Sequence, residues 1–289
     1  MKKQNNKTLF TLVFFWGLMN SNAQRVSEQF KAHWFDGHAE ISSYALSQSR
    51  YGENREGTAV LLFVTEDFLK KEQVKANQKS KETLPVLKLN RTKKFLTGIY
   101  PYSIMSSSFS QLRTPQAVIK NSASIQEWCG QSYLQMNVNE EKINITSHSY
   151  FEGEADQNFN LEKNLTEDEL WNLIRLKPQA LPQGKLMLIP SLESSRMNHE
   201  KIEAYRANSS IEINEKHTIY TIAYPLLKRY LAIKFLNDFP HTIEGWVEQT
   251  IKNGKELTST AKRIHTERRQ YWNENNNASE KFRIPFKLD

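Results

Sequence analysis

The chain has 289 residues, 38% hydrophobic and 11% aromatic, with one cysteine and 39 basic against 32 acidic residues for a net charge of +7. That is apolar material for a sizeable core in one or two domains, and a lone cysteine excludes an intrachain disulfide framework, so burial must supply the stability. The basic excess is small and interspersed with acids, which argues against nucleic acid as a partner, since that needs a concentrated basic face.

In chain order the first element is a leader. Lys2, Lys3 and Lys7 precede an apolar run over 9–19 and a small-residue exit at Ser21, Asn22 and Ala23. A basic, then apolar, then small-residue order describes a secretory signal peptide. The run is shorter than the roughly 20 residues a mature membrane span needs. Residues 1–23 are therefore predicted to be cleaved, leaving a mature chain with no transmembrane segment and a charge of +4. The expected location is the periplasm or the extracellular space.

Strand signals dominate the rest of the chain. Residues 39–46 and 57–65 read as a pair joined through a longer loop at Tyr51-Gly52-Glu53-Asn54. Residues 58–65 form an apolar, β-rich run expected to be buried on both faces. Further strands are predicted at 85–93 and 97–109. Over 126–138 a single strand is expected to place Trp128, Leu134, Met136 and Val138 on one parity, with Gly130 as a bulge. Residues 142–151 alternate, with Ile143 and Ile145 on one face, as a half-solvated strand should. Later candidates lie at 202–213, 218–224, 230–236, 242–252 and 257–271, and Asn253-Gly254 is a strong hairpin cue because both central residues need positive φ.

One helix is predicted after Thr166, where Thr166 and Glu169 form a capping box, Leu170, Trp171 and Ile174 an apolar stripe, and Pro178 a stop. The lysine-rich stretch over 70–82 reads as a solvated loop or a second short helix. With crossover helices missing between strands, parallel doubly wound folds are excluded. The expected fold class is mainly β, a β-rich α+β arrangement in which a large curved antiparallel sheet or half-barrel carries one or two short helices. It occupies 24–272 as one domain, or as two similar sheet modules split near 157–180, with 273–289 a flexible polar tail.

A local pattern recurs. Trp34-Phe35-Asp36-Gly37 matches Tyr150-Phe151-Glu152-Gly153 in residue type, and Thr242-Ile243-Glu244-Gly245 is a looser copy. An apolar residue, an acid and a glycine before an extended run read as strand entries where Gly supplies a bend.

The chemistry on offer is thin. His148, Glu152, Glu154 and Asp156 are the richest ligand cluster, yet no calcium-loop spacing and no His-Glu-x-x-His pattern accompanies them, so no metal or cofactor is assigned. Cys129 shares strand parity with Ile125 and Tyr133 and reads as a small buried hydrophobe rather than a nucleophile. Carboxyl pairs drawn from Glu152, Glu154 and Asp156, or from Glu244 and Glu248, would serve a hydrolase only if held roughly 5–10 Å apart in a cleft. Tyr100, Tyr102, Trp128 and Trp246 are the aromatics predicted to line a ligand hollow.

The segments Phe35-Asp36-Gly37-x-Ala39-Glu40, Gly57-Thr58-Ala59-Val60 with Val64-Thr65-Glu66-Asp67-Phe68, Thr97-Gly98-Ile99-Tyr100-Pro101-Tyr102-Ser103, Gln126-Glu127-Trp128-Cys129-Gly130 and Ser147-His148-Ser149-Tyr150-Phe151-Glu152-Gly153-Glu154-Ala155-Asp156 resemble a group of uncharacterised secreted proteins of Bacteroidota, over nearly all of the mature chain. Members of that group often carry the label septum formation inhibitor Maf. The Maf signature, a serine-rich turn with paired arginines and an acidic Glu-Thr-Gly segment, is absent here. The resemblance therefore implies an address and a lineage, and no residue roles.

The expectation is an exported, non-enzymatic β protein whose concave sheet face takes an apolar small molecule, a lipid or a lipoprotein segment. The alternatives are an exported hydrolase using paired carboxylates, a protein-interaction scaffold and, disfavoured, a Maf-like nucleotide pyrophosphatase.

Overall fold

The computed structural model describes residues 28–112 and 118–288. The predicted leader over 1–23 lies outside them. Helix α1 (Glu28–Trp34) leads into β1 (Ala39–Arg50) and β2 (Glu53–Leu69), and a two-residue β3 (Val74–Lys75) sits in the next loop. Hairpins then carry the chain through β4 (Thr83–Thr97), β5 (Tyr100–Gln111), β6 (Val118–Glu127), β7 (Gly130–Val138), β8 (Lys142–Ser149) and β9 (Gln157–Glu162). The pattern is interrupted by β10 (Leu165–Thr166), α2 (Glu167–Leu176), β11 (Gly184–Ile189) and α3 (Leu192–Asn198). It resumes with β12 (Tyr205–Ile213), β13 (His217–Tyr224), β14 (Arg229–Leu236), β15 (Ile243–Lys252) and β16 (Lys255–Arg269).

All these strands belong to one curved, unclosed sheet, in which β16 pairs with β1 and so stitches the C-terminal arm to the N-terminal one. Neighbours are antiparallel apart from the short parallel pair β10 and β11. The strands before and after 157–180 form one sheet, joined through β16 and β1 and not through the 157–180 segment itself. Its two edges are β9 and β10, which only Lys163 and Asn164 separate in the chain, so the sheet curls until its edges face each other across a seam.

Alternation sets which side chains point inward. Ala59, Leu61 and Phe63 of β2 are fully buried, while on the other face Val60 and Leu62 are half-buried and Val64 is buried, so the run expected to be buried on both faces is fully enclosed on one and partly covered on the other. Helix α2 fills the concavity. Its Thr166 cap accepts from the Glu169 N–H at 3.3 Å, as the capping box predicts, and Lys177 ends it before Pro178. The predicted apolar stripe is only part of its burial, because Asn172 and Arg175 are enclosed as well. Small inward residues on β5, Ser108 and Ser110 among them, let the helix approach, and Asn172 donates to the Ser108 and Leu87 carbonyls at 3.3 and 3.2 Å.

Turns correct several expectations. Tyr51 and Gly52 form a two-residue hairpin with positive φ at both positions, not a longer loop. Asn253-Gly254 does the same, as predicted. Residues 126–138 are two strands, with Trp128 and Cys129 at the hairpin tip between β6 and β7. Gly130 is there because the Tyr150 ring occupies its missing side-chain space, where a Cβ would sit 2.6 Å from the ring, and not because it bulges. Within 70–82, β3 is the regular element and no helix forms. The C-terminal segment expected as a flexible tail winds into 3-10 turns at Tyr271–Asn273 and Asn277–Arg283, and Phe286 is buried against His265.

Candidate functional site

Antiparallel pairing sorts the connections into two ends. One end carries α1, the turn into β15 and the C-terminus of α2, where Arg175 meets Glu40 at 2.7 Å and the Pro240 carbonyl at 2.8 Å. The other carries the β1–β2, β4–β5, β6–β7 and β15–β16 turns, with α3 seated among them. Ser191 caps α3 by accepting from the Ser194 N–H at 3.1 Å, and His199 ends it in the left-handed region.

Between the N-terminal ends of α2 and α3 lies a buried network of charges. Arg91 reaches Asp168 at 3.1 Å and Glu193 at 3.4 Å, and Lys93 reaches Glu193 at 2.6 Å. Arg229 grips Glu167 with two nitrogens, at 2.5 and 2.8 Å, and Glu248 with a third at 2.6 Å. Tyr224 donates to Glu167 at 2.9 Å, and Arg91 stacks over Trp171 at 4.7 Å. Burial raises the Glu248 pKa, but the Arg229 and Lys93 charges outweigh it and hold the carboxyl at about 2. The network ties β4, β14 and β15 to both helices and leaves a gap of only about 20 Å³ between them. It is a clamp, since nothing larger than a water fits.

Above it the α3 end opens. A cavity of about 640 Å³ runs between α3 and the β1–β2 and β15–β16 turns, lined by Arg50, Tyr51, Met197, His199, Lys252 and Leu257 among others. A second, of about 240 Å³, adjoins it on the side of Tyr102, Ile125 and Phe151, and Arg50, Tyr51, Met197 and His199 border both. Glu193 and Glu248 reach the floor of the larger one, already engaged by Lys93 and Arg229.

Three cations line the mouth, Arg50, Lys252 and Lys255, the last donating to the Gly52 carbonyl at 3.1 Å. Arg50 donates to the Tyr102 hydroxyl at 3.1 Å and the Met197 carbonyl at 3.0 Å, and the Tyr51 and Tyr102 hydroxyls lie 2.7 Å apart. Neither Arg50 nor Lys252 forms an ion pair among the described residues. Burial, and then the Arg50 charge, push the Lys252 pKa down, as expected of cations that share a mouth. Burial works the same way on Arg50, but hydrogen bonding to Tyr102 reverses it and keeps the guanidinium charged.

The aromatics predicted to line a hollow are divided. Tyr102 is 1% exposed, stacks on Phe95 at 4.9 Å and walls the smaller cavity. Tyr100 lies 6.0 Å from it and 6.3 Å from Trp128, so three of the four meet in one row, whose last member stands 69% exposed at a hairpin tip. Trp246 is elsewhere, packed in the core between Tyr44 and Trp171 at 5.0 and 5.3 Å.

The acidic cluster does not converge. His148 pairs with Asp156 at 3.0 Å in the open, Glu152 is exposed, and Glu154 turns to Arg196 at 3.3 Å and to His199. No group of three or more metal-ligand side chains assembles among the described residues. Glu244 and Glu248 part company because β15 bulges at Glu244: the first pairs with Arg263 at 2.5 Å on one side, the second with Arg229 inside. Cys129, expected to be buried, is exposed at its tip, and Glu127 beside it pushes the thiol pKa up, away from thiolate chemistry.

Sequence reasoning passed over α3, Arg50, Tyr51 and Lys252. The signals existed: Ser191 after Pro190 is an N-cap cue, and a Tyr-Gly dipeptide between strands marks a hairpin whose neighbours reach an end of the sheet. Among known proteins the chain matches no family model, no curated protein and no solved structure.

Proposed function

We propose that the protein is an exported, non-enzymatic binding protein that takes an amphipathic acid, a long-chain carboxylate or similar anionic lipid, in the cleft at the α3 end. The observation that carries this reading is the pair Arg50 and Lys252, two cations that form no ion pair among the described residues and border a cavity of about 640 Å³, with Glu200 and Glu248 acting on Lys252 only at longer range. An acid head would meet these two cations with charge-assisted hydrogen bonds. Tyr51, Met197 and Leu257, with Tyr102, Ile125 and Phe151 beyond them, would wall the apolar body. The combined space falls in the range of roughly 300–1,000 Å³ typical of small-molecule sites. The basic and apolar leader over 1–23 supports export.

Displacement of anilinonaphthalene sulfonate by palmitate tests the reading. The wild type should bind both, and Arg50→Ala combined with Lys252→Ala should weaken palmitate by about tenfold or more, the loss expected for hydrogen bonds to a charged group. Equal affinity in the double variant, or no displacement in the wild type, ends it.

A further inference from the structure

The two cavities at the α3 end differ in what lines them. The smaller has an apolar wall of Tyr102, Ile125 and Phe151, and two of its charged residues, Arg196 and His199, are already engaged by Glu154. Met197 and Leu257 give the larger one an apolar strip, but most of its lining is polar. Gln48 and Ser49 of β1, Ser194 and Asn198 of α3, Thr250 of β15 and Ser259 of β16 line it from four elements, and Glu193 and Glu248 form part of its floor.

Such a lining does not suit an alkyl chain. A chain packed over Glu193 and Glu248 would strip water from two carboxylates and offer nothing in return, and it would leave the amide and hydroxyl groups around them without partners.

The hydrogen bonds already made show what is left over. Gln48 Nε2 donates to Ser259 Oγ at 3.1 Å, and the Ser49 N–H donates to the same oxygen at 2.9 Å. Ser259 therefore keeps its own hydrogen to give, whereas Gln48 Oε1 and Ser49 Oγ are buried with no partner among the described residues. Asn198 Nδ2 donates to Ser194 Oγ at 3.2 Å, which leaves the Asn198 side-chain oxygen as an acceptor. With the floor carboxylates, these walls ask mainly for hydrogen donors. A ligand carboxylate only accepts, so it can satisfy Arg50 and Lys252 but none of these groups, whereas a hydroxyl both donates and accepts.

Tyr51 adds a flat surface. Arg50 lies over its ring at 4.5 Å, and the side chain is 59% exposed where the two cavities meet. The negative face of an aromatic ring attracts the weakly positive C–H face of a sugar as it attracts an aromatic edge.

Resting on the acid-binding cleft for its place, we propose that the acid is polyhydroxylated, a sugar acid that carries a short apolar substituent. Its carboxylate meets Arg50 and Lys252, its hydroxyls meet Asn198, Ser259 and the floor carboxylates, and its apolar part enters the smaller cavity.

Calorimetric titration with octyl glucuronide, octanoate and free glucuronate tests it. The wild type should bind octyl glucuronide about tenfold or more tightly than octanoate, since a site that hydrogen-bonds hydroxyls rejects an analogue without them. It should also prefer octyl glucuronide to glucuronate, which has no chain for the smaller cavity. Asn198→Ala should lose about threefold to tenfold for octyl glucuronide and nothing for octanoate. Ser259→Ala, on a different element, should do the same, with unchanged circular dichroism verifying both folds. Equal affinity for octanoate and octyl glucuronide in the wild type, or full discrimination in both variants, overturns the proposal. So does glucuronate that binds as tightly as octyl glucuronide. If palmitate displaces the dye while octyl glucuronide is no better than octanoate, the cleft reading stands and the hydroxylated class falls. If no probe binds, both fall.

Discussion

Glu169 shows how one side chain is made to serve folding at the expense of its own charge. It lies in the first turn of α2, where its N–H donates to Thr166 Oγ1 and its Oε2 accepts from the same hydroxyl at 3.0 Å, while Oε1 has no partner. Burial raises its pKa to about 8, and the Thr166 hydrogen bonds only partly oppose that. Because the folded value lies above the ordinary one of 4.5, folding favours the protonated form. The stabilisation is complete below pH 4.5 and is lost as pH rises towards 8. Glu169→Gln keeps the capping geometry and removes the ionisation. Its stability relative to wild type, followed by urea denaturation, should rise across that window by on the order of 1 kcal/mol per pH unit. A pH-independent difference would show that Glu169 is ionised in the fold. Arg91, Arg229 and Glu248 obey the same desolvation rule with the opposite outcome: each meets an opposite charge, so burial keeps them ionised.

Among the elements, two of the long strands need glycine where neighbouring backbones come close. At Gly245 a Cβ would lie 2.2 Å from the Ala261 carbonyl oxygen, and at Gly57 2.2 Å from that of Lys94. Both are places where two strand backbones approach too closely for a side chain. Gly245 follows the bulge that turns Glu244 outward and Glu248 inward, which separates the two acids that sequence reasoning had paired. Gly245→Ala should therefore destabilise the protein by about 1–3 kcal/mol through overpacking, measured by thermal or chemical unfolding. The recurring acid-glycine signature also resolves at this level. Gly37 and Gly153 take positive φ in turns that precede strands, whereas the third copy is this close approach inside a bulge. The first two copies therefore share a turn geometry that the third does not.

On the scale of the whole molecule the decisive feature is the seam. The edges β9 and β10 are not hydrogen-bonded to each other, and at the α3 end Glu154, on the loop before β9, reaches across to Arg196 and His199, on the connection after β11. This clasp is half-exposed, so its removal should cost at most about 1 kcal/mol of global stability. Its effect should be local. Glu154→Ala is expected to raise amide hydrogen exchange in α3 and in the β8–β9 loop while the β1–β2 and β15–β16 amides stay protected. Uniform exchange across the sheet would show that the seam is held by the clamp around Arg91 and Arg229 alone.

Period-two alternation, Asn-Gly turn chemistry and the capping box act between residues close in the chain, so strands, the 253–254 hairpin, helix α2 and the mainly β class were legible in the sequence alone. Which hairpins gather at one end, which charges are buried together and where Trp246 ends up depend on contacts between residues far apart in the chain. Arg91 meets Asp168, and Glu40 meets Arg175, through the curl of one sheet around one helix. Lysines and arginines read as surface until a partner from another strand neutralises them, so the clamp had no local signal. Tyr100, Tyr102 and Trp128 assembled because they sit on adjacent hairpins, while Trp246 lies on a strand whose inward face packs against α2. Short-range chemistry decided what each segment would be. Only tertiary packing decided what it would face, because burial, and with it the charge state of every enclosed acid and base, is a property of the assembled sheet.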